Sequence, residues 1–94
     1  MNDNIDFDFV GTPRDYSEQL YRFYIEVPDI DGKVAALLRV FLGVAHEEHM
    51  VKRTHGFELD LPMQRAPELV RELSQLNHAI YQIVRGPKVD RPYR

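Results

Sequence analysis

From Leu20 to Val27 the chain alternates with a period of two. In LYRFYIEV, Tyr21, Phe23, Ile25 and Val27 fall on one face, and Leu20, Arg22, Tyr24 and Glu26 on the other. Aromatic and β-branched residues at this spacing predict a strand. Pro28 ends it, and Asp29-Ile30-Asp31-Gly32 forms a tight connection. The period then changes. In KVAALLRVFL, Val34, Leu37, Leu38 and Phe41 recur at i, i+3, i+4 and i+7, the stripe of an amphipathic helix. Asp31 is the expected N-cap, its charge suiting the positive end of the helix dipole, and Gly43 the expected stop.

Beyond Gly43, VAHEEHMVKR predicts a second strand and FELDL a third, joined by a turn around His55-Gly56. On the third strand Phe57, Leu59 and Leu61 share one face, with Glu58 and Asp60 on the other. Two turn lengths are open. A two-residue turn at His55-Gly56 pairs Thr54 with Phe57 and sends His46, Glu48 and Met50 to the core side. A three-residue turn, with Gly56 left-handed, pairs Arg53 with Phe57 and sends Glu47, His49 and Val51 there instead. Pro62 closes the third strand. APELVRELSQLNH predicts a second helix, with Pro67 in its first turn and Leu69, Leu73 and Leu76 as its buried stripe. AIYQIVR predicts a last strand, stopped by Gly86-Pro87.

The order is β-α-β-β-α-β. With right-handed crossovers it predicts an α+β fold, a four-stranded antiparallel sheet with both helices on one face, the ferredoxin-like arrangement. The other face of the sheet is left for a partner, a ligand or a second subunit.

Composition narrows the function classes. The 94 residues are 44% hydrophobic and 29% charged, which suits one ordinary globular domain. With no cysteine, a disulfide framework, thiolate zinc site or thiol nucleophile is excluded. The net charge of −3 argues against a nucleic-acid partner, since phosphate binding needs a basic surface. No apolar run approaches the roughly 18 residues of a membrane span, and the acidic start is unlike a secretory signal, so a cytoplasmic protein without membrane contact is expected. Charge is uneven along the chain. Residues 1–9 carry three aspartates and no base, whereas RGPKVDRPYR carries four basic residues and one acid. The expected organisation is an acidic, mobile N-terminal segment over 1–19, the domain over 20–85 and an irregular basic tail over 86–94. IDFDF within the first segment reads equally as a strand or as a peptide that docks on a partner.

VPDIDGKVAALLRVFLGV resembles the opening of an ACT domain, a strand followed by an Asp-x-x-Gly turn and a helix beginning Gly-x-Leu-Ala. Asp29 and Gly32 make the turn, Lys33, Val34, Ala35, Leu37 and Leu38 continue the pattern, and Gly43-Val44 resembles the start of the family's second strand. The order of elements agrees from Leu20 to Arg85. His46 departs from the family, which tends to have an aliphatic residue there, and this puts ligand contacts from the second strand in question. The resemblance implies a regulatory module that pairs side by side and binds an amino acid or similar molecule near the strand-to-helix turn. The ligand-binding residues it implies are Asp29, Asp31, Gly32 and Lys33. Gly32 would let a ligand approach the backbone, helix N–H groups would attract a carboxylate, and Asp29 or Asp31 would take an ammonium group. The competing role of Asp31 is a helix cap, and of Gly32 a turn residue.

HEEHMVKRTH holds His46, His49 and His55 together with Glu47 and Glu48. Were the first helix to run on past Gly43, His46 and His49 would share one face at i and i+3. With Gly43 as the stop the segment is a strand, His46 and His49 face opposite sides, three convergent ligands are not available and no metal is expected. Adjacent Glu47 and Glu48 likewise cannot form a carboxylate pair. His78 suits a helix C-terminus. Ser17 and Ser74 lack a nucleophile's context, and there is no phosphate-binding glycine loop, so no enzyme and no cofactor are expected. An RNA-recognition domain shares this element order, but Phe57, Leu59 and Leu61 are needed in the core and Glu58 and Asp60 would repel RNA. The expectation is a non-catalytic regulatory domain, a homodimer sensing a small amino-acid-like ligand. The alternative is a protein–protein adaptor using the open sheet face, Tyr24, Tyr81 and the tails.

Overall fold

The computed structural model describes residues 9–94, so IDFDF lies, but for Phe9, outside the described residues. Among the described residues the elements are β1 (Leu20–Glu26), α1 (Lys33–Leu42), α2 (Val44–Glu47), β2 (Val51–Lys52), β3 (Gly56–Pro62), α3 (Arg65–Gln75) and β4 (Gln82–Val89). The strands form one antiparallel sheet in the order β2-β3-β1-β4. Each helical crossover therefore steps over one strand, α1 over β3 and α3 over β1. This α+β sheet with helices is compatible with the ferredoxin-like arrangement.

One core explains why both helices lie on the same face. Tyr21, Phe23, Ile25 and Val27, alternate residues at β1 and its end, are buried with Phe57, Leu59 and Leu61 of β3. Val34, Ala35, Leu38 and Leu42 of α1 and Ala66, Leu69 and Leu73 of α3 complete the cluster. The expected strand faces are those found. The helix stripes are slightly rotated: Leu37 and Phe41 are only partly buried, and Leu76 lies past the end of α3 and is exposed. The positive φ of Asn77 turns the chain away from the helix axis before His78.

Three local expectations are corrected. The long second strand is absent. Gly43 (φ 83°) stops α1, but the chain then winds one more helical turn, with the N–H groups of His46 and Glu47 donating to the Gly43 carbonyl. Only Val51 and Lys52 remain as β2. Neither expected turn is present either. Lys52 pairs with Phe57, and Arg53 N–H donates to the Gly56 carbonyl at 2.7 Å, leaving Thr54-His55 as the loop. Gly56 is not left-handed. It is a β3 residue that must be glycine for space, because a Cβ there would stand 2.0 Å from the Ile25 carbonyl oxygen.

The last strand also begins and ends later than expected. β4 starts at Gln82 and runs through Gly86-Pro87 to Val89, because it is an edge strand where a proline is tolerated. Two β4 residues, Gly86 and Pro87, oppose the single Arg22 of β1, so the register shifts there as at a bulge.

Residues ahead of β1 pack against the domain. The buried Asp15 carboxylate accepts from Gly11 N–H, from Ser17 N–H and Oγ, and from Tyr21 Oη. Gln64 Nε2 donates to the carbonyls of Pro13 and Asp15. Burial works to raise the Asp15 carboxyl, but these hydrogen bonds, led by that from Ser17, outweigh it and hold it below the usual aspartate range.

Candidate functional site

The first turn of α1 leaves four backbone N–H groups to be satisfied. Asp29 reaches forward to two of them, accepting from Val34 N–H at Oδ1 and from Ala35 N–H at Oδ2, both at 3.1 Å. Lys33 N–H donates to Asp31 Oδ1 and Ala36 N–H to the Gly32 carbonyl. Asp29, not Asp31, is thus the principal cap, and the two aspartates satisfy the N–H groups of Lys33, Val34 and Ala35, Ala36 making the first ordinary helical bond. Asp31 and Lys33 are exposed and their charged groups lie 3.6 Å apart. The Lys33 N–H bond is the largest influence lowering the Asp31 carboxyl. Gly32 (φ 82°) supplies the left-handed turn that enters the helix, with open space where a Cβ would be.

Beside this turn lies a cleft of about 390 Å³. The end of β1 and the following turn contribute Glu26, Val27, Pro28 and Asp29, while the β2–β3 hairpin contributes Lys52, Thr54, His55 and Gly56. Tyr81 closes it, held in place by its N–H donating to the Glu26 carbonyl at 2.8 Å. Lys52 Nζ also sits 4.9 Å from the Phe57 ring centroid, so its cation is placed at the rim by the hairpin pairing. Of the four residues named from the sequence, Asp29 lines this cleft, and Asp31, Gly32 and Lys33 lie outside its lining. Glu26, Lys52, His55 and Tyr81 were missed, because they meet only once β1, the hairpin and the approach to β4 are side by side. An acid and bases lining one cleft suit a small zwitterion, and the volume falls in the roughly 300–1,000 Å³ of small-molecule sites. A larger hollow of about 590 Å³ lies at the other end of the sheet, lined by residues that include Asp15, Gln19 and Tyr21 and by residues 88–94.

A second polar cluster occupies the sheet face away from the helices. Asp60, buried on β3, accepts from Arg22 Nε at 2.9 Å and from Arg91 Nη2 at 2.6 Å. Arg22 also reaches Glu58 and the His49 carbonyl. Burial pushes the Asp60 carboxyl up, but the hydrogen bonds and charges of Arg22 and Arg91 outweigh it and hold it below the usual aspartate range. Glu58 is held low chiefly by its bond to Arg53. Arg91 continues to His46, its Nη1 lying 2.7 Å from Nδ1. The Tyr93 ring stacks on the imidazole with centroids 5.2 Å apart. His46 is thus buried among residues 90–94, while His49 approaches Glu48 and His55 stands in the exposed hairpin loop. Among the described residues, no three His, Asp or Glu side chains converge as metal ligands. No helix among them is long and apolar enough to cross a membrane.

Comparison of the chain with protein-family models, curated proteins and solved structures returns no match.

Proposed function

We propose that this chain is a non-catalytic, ACT-like regulatory domain that binds a small amino-acid-like molecule in the cleft beside the β1–α1 turn. The observation that carries the reading is that an acid, Glu26, and two bases, Lys52 and His55, line the same cleft. Glu26 takes the ligand's ammonium group, Lys52 and His55 take its carboxylate, and the Tyr81 ring covers its side chain. Asp29 holds the turn in shape by capping α1 instead of contacting the ligand's charge. The signal passes through a homodimer in which the outer edge of β4 joins a second copy. Ile83 and Val84 are exposed on that strand and Tyr81 immediately ahead of it, and Tyr81 also lines the cleft, so ligand and subunit contacts would adjoin. Calorimetric titration with a panel of free amino acids tests the reading, and loss of binding in Glu26→Gln is the expected result.

A second reading, a protein–protein adaptor without a small ligand, is favoured by an apolar groove of about 350 Å³ between α3 and β4. Phe23, Met63, Val70 and Ile83 line it. A partner helix laid in that groove is the adaptor's natural contact.

A further inference from the structure

The hydrogen bonds of His46 fix its protonation. Arg91 Nη1, 2.7 Å from Nδ1, is only ever a donor, so Nδ1 must carry a lone pair. The Tyr93 carbonyl oxygen, 2.7 Å from Nε2, is only ever an acceptor, so Nε2 must carry the hydrogen. Both bonds are satisfied by one species, the neutral Nε2–H imidazole. A second proton would place an N–H at Nδ1 against the guanidinium, replacing a hydrogen bond by two facing donors and two positive charges.

Among the described residues, the surroundings offer no compensation for that charge. From the segment after β4, Arg91 and Arg94 face this region, Arg94 being paired with Glu18. From β3 the charges are Asp60 and Glu58, and from β1 Arg22. Asp60 is already shared by Arg22 and Arg91, and Glu58 by Arg22 and Arg53. On the histidine's own stretch, Glu47 and Glu48 are exposed and His49 lies against Glu48. Asp90 is exposed. What the segment covers is otherwise buried: Asp60 at 2% and His46 at 7% exposure.

We propose that residues 90–94 are a pH-gated latch on the helix-free face of the sheet, closed while His46 is neutral and released when His46 is protonated. The inference is independent of the ligand reading. The latched state binds one proton fewer than the released state. It is therefore favoured at high pH and lost as the pH falls through the range in which the released imidazole charges. Asp60, held low, stays ionised across that range and keeps Arg22 in place, so release is local. Acid then uncovers a charged concave strip, and alkali closes it.

Nitrogen-15 NMR of the full chain between about pH 8 and about pH 5 decides the matter. The His46 ring shifts report its tautomer and charge, and the heteronuclear NOEs of Arg91, Tyr93 and Arg94 report whether the segment is held. Charging of the ring and loss of the NOEs are expected at one midpoint, with β1 and β3 unchanged. Charging of the ring while the NOEs stay high overturns the proposal, as do NOEs that are low at every pH. Glu47, Glu48 and His49 are ionisable groups nearby, and His46→Gln separates their effects from those of His46: its amide has both a donor and an acceptor but carries no titratable proton. The expected Gln variant shows no NOE change with pH. A change at the wild-type midpoint would assign the switch to another group and overturn the latch, and the wild-type ring and NOE midpoints remain decisive even if the Gln variant folds poorly.

Discussion

Arg22 and Asp60 stand directly opposite each other on the two central strands, and Arg22 Nε donates to Asp60 Oδ1 at 2.9 Å on the face without helices. The carboxylate is buried while Arg22 and Arg91, which share it, stay 27% and 21% exposed at their side chains. Asp60→Asn keeps the shape and removes the charge, leaving two guanidiniums facing each other. Because both can turn toward water, the expected loss is about 3 kcal/mol, the low end for a broken buried pair. Urea unfolding at neutral pH measures it, and a loss under about 0.5 kcal/mol would mean the network is ornamental to stability.

The same carboxyl sets an acid limit. Its folded value lies below the ordinary 3.8, so its stabilisation is complete above that value and disappears as pH falls through the depressed one. Asp15 adds a contribution of the same sign. Wild-type stability is therefore expected to drop below about pH 4, and Asp60→Asn to show a shallower drop there. Parallel urea curves from about pH 6 to about pH 2 check this; equal slopes in the two proteins would show that Asp60 does not contribute.

The alternation in LYRFYIEV and FELDL made the central strands legible, since each buries one face and a slip of one residue would expose all of it. The helices were legible for the same reason with a different period. What escaped was whatever depends on residues far apart in the chain. HEEHM reads as a polar strand because its neighbours Arg91 and Tyr93, some forty-five residues away, are not visible locally. Gly86-Pro87 reads as a stop, but at a sheet edge the pair makes a bulge that lets β4 continue. The same limit hid the cleft: Asp29 was visible through its turn motif, whereas Glu26, Lys52, His55 and Tyr81 come from separate stretches of the chain.

The two turn aspartates should part company. Asp29→Ala removes the acceptor of two helix N–H groups and is expected to cost about 1–2 kcal/mol. Asp31→Ala removes a single exposed bond and is expected to fall within about 0.5 kcal/mol of the parent. Midpoint shifts at constant m-value distinguish them, and equal costs would reject Asp29 as the dominant cap.

Gly56→Ala tests the close approach of β3 to β1. A methyl group 2.0 Å from the Ile25 carbonyl oxygen and 2.9 Å from the Glu26 Cα meets backbone on a central strand, which cannot swing aside as a side chain can. Prying β1 and β3 apart there is expected to cost about 3 kcal/mol, the upper end for overpacking. Gly32→Ala, with open space but a positive φ, is expected to cost about 1 kcal/mol. Thermal unfolding of the pair checks the order, and the reverse order would refute the close approach.

Ligand binding separates the sensor from the adaptor. A molecule that binds only the folded chain adds about 2.7 kcal/mol at a hundredfold excess over its Kd, which for a domain of this size raises Tm by roughly 10–20 °C. Among free amino acids, at least one is expected to produce such a shift. Glu26→Gln exchanges a charge-assisted bond to the ligand's ammonium for a neutral one, and binding is expected to weaken about 10- to 100-fold. The unliganded Tm should hardly move, since the Glu26 side chain is not buried in the core and the carbonyl that Tyr81 uses is kept. Asp31→Ala should bind as tightly as the parent, because Asp31 is outside the cleft lining. The reverse result, with Asp31→Ala losing binding and Glu26→Gln keeping it, would move the ligand to the outer side of the turn. If no amino acid shifts Tm, the charged cleft is solvated surface, and the apolar groove between α3 and β4 becomes the better guide to what this chain binds.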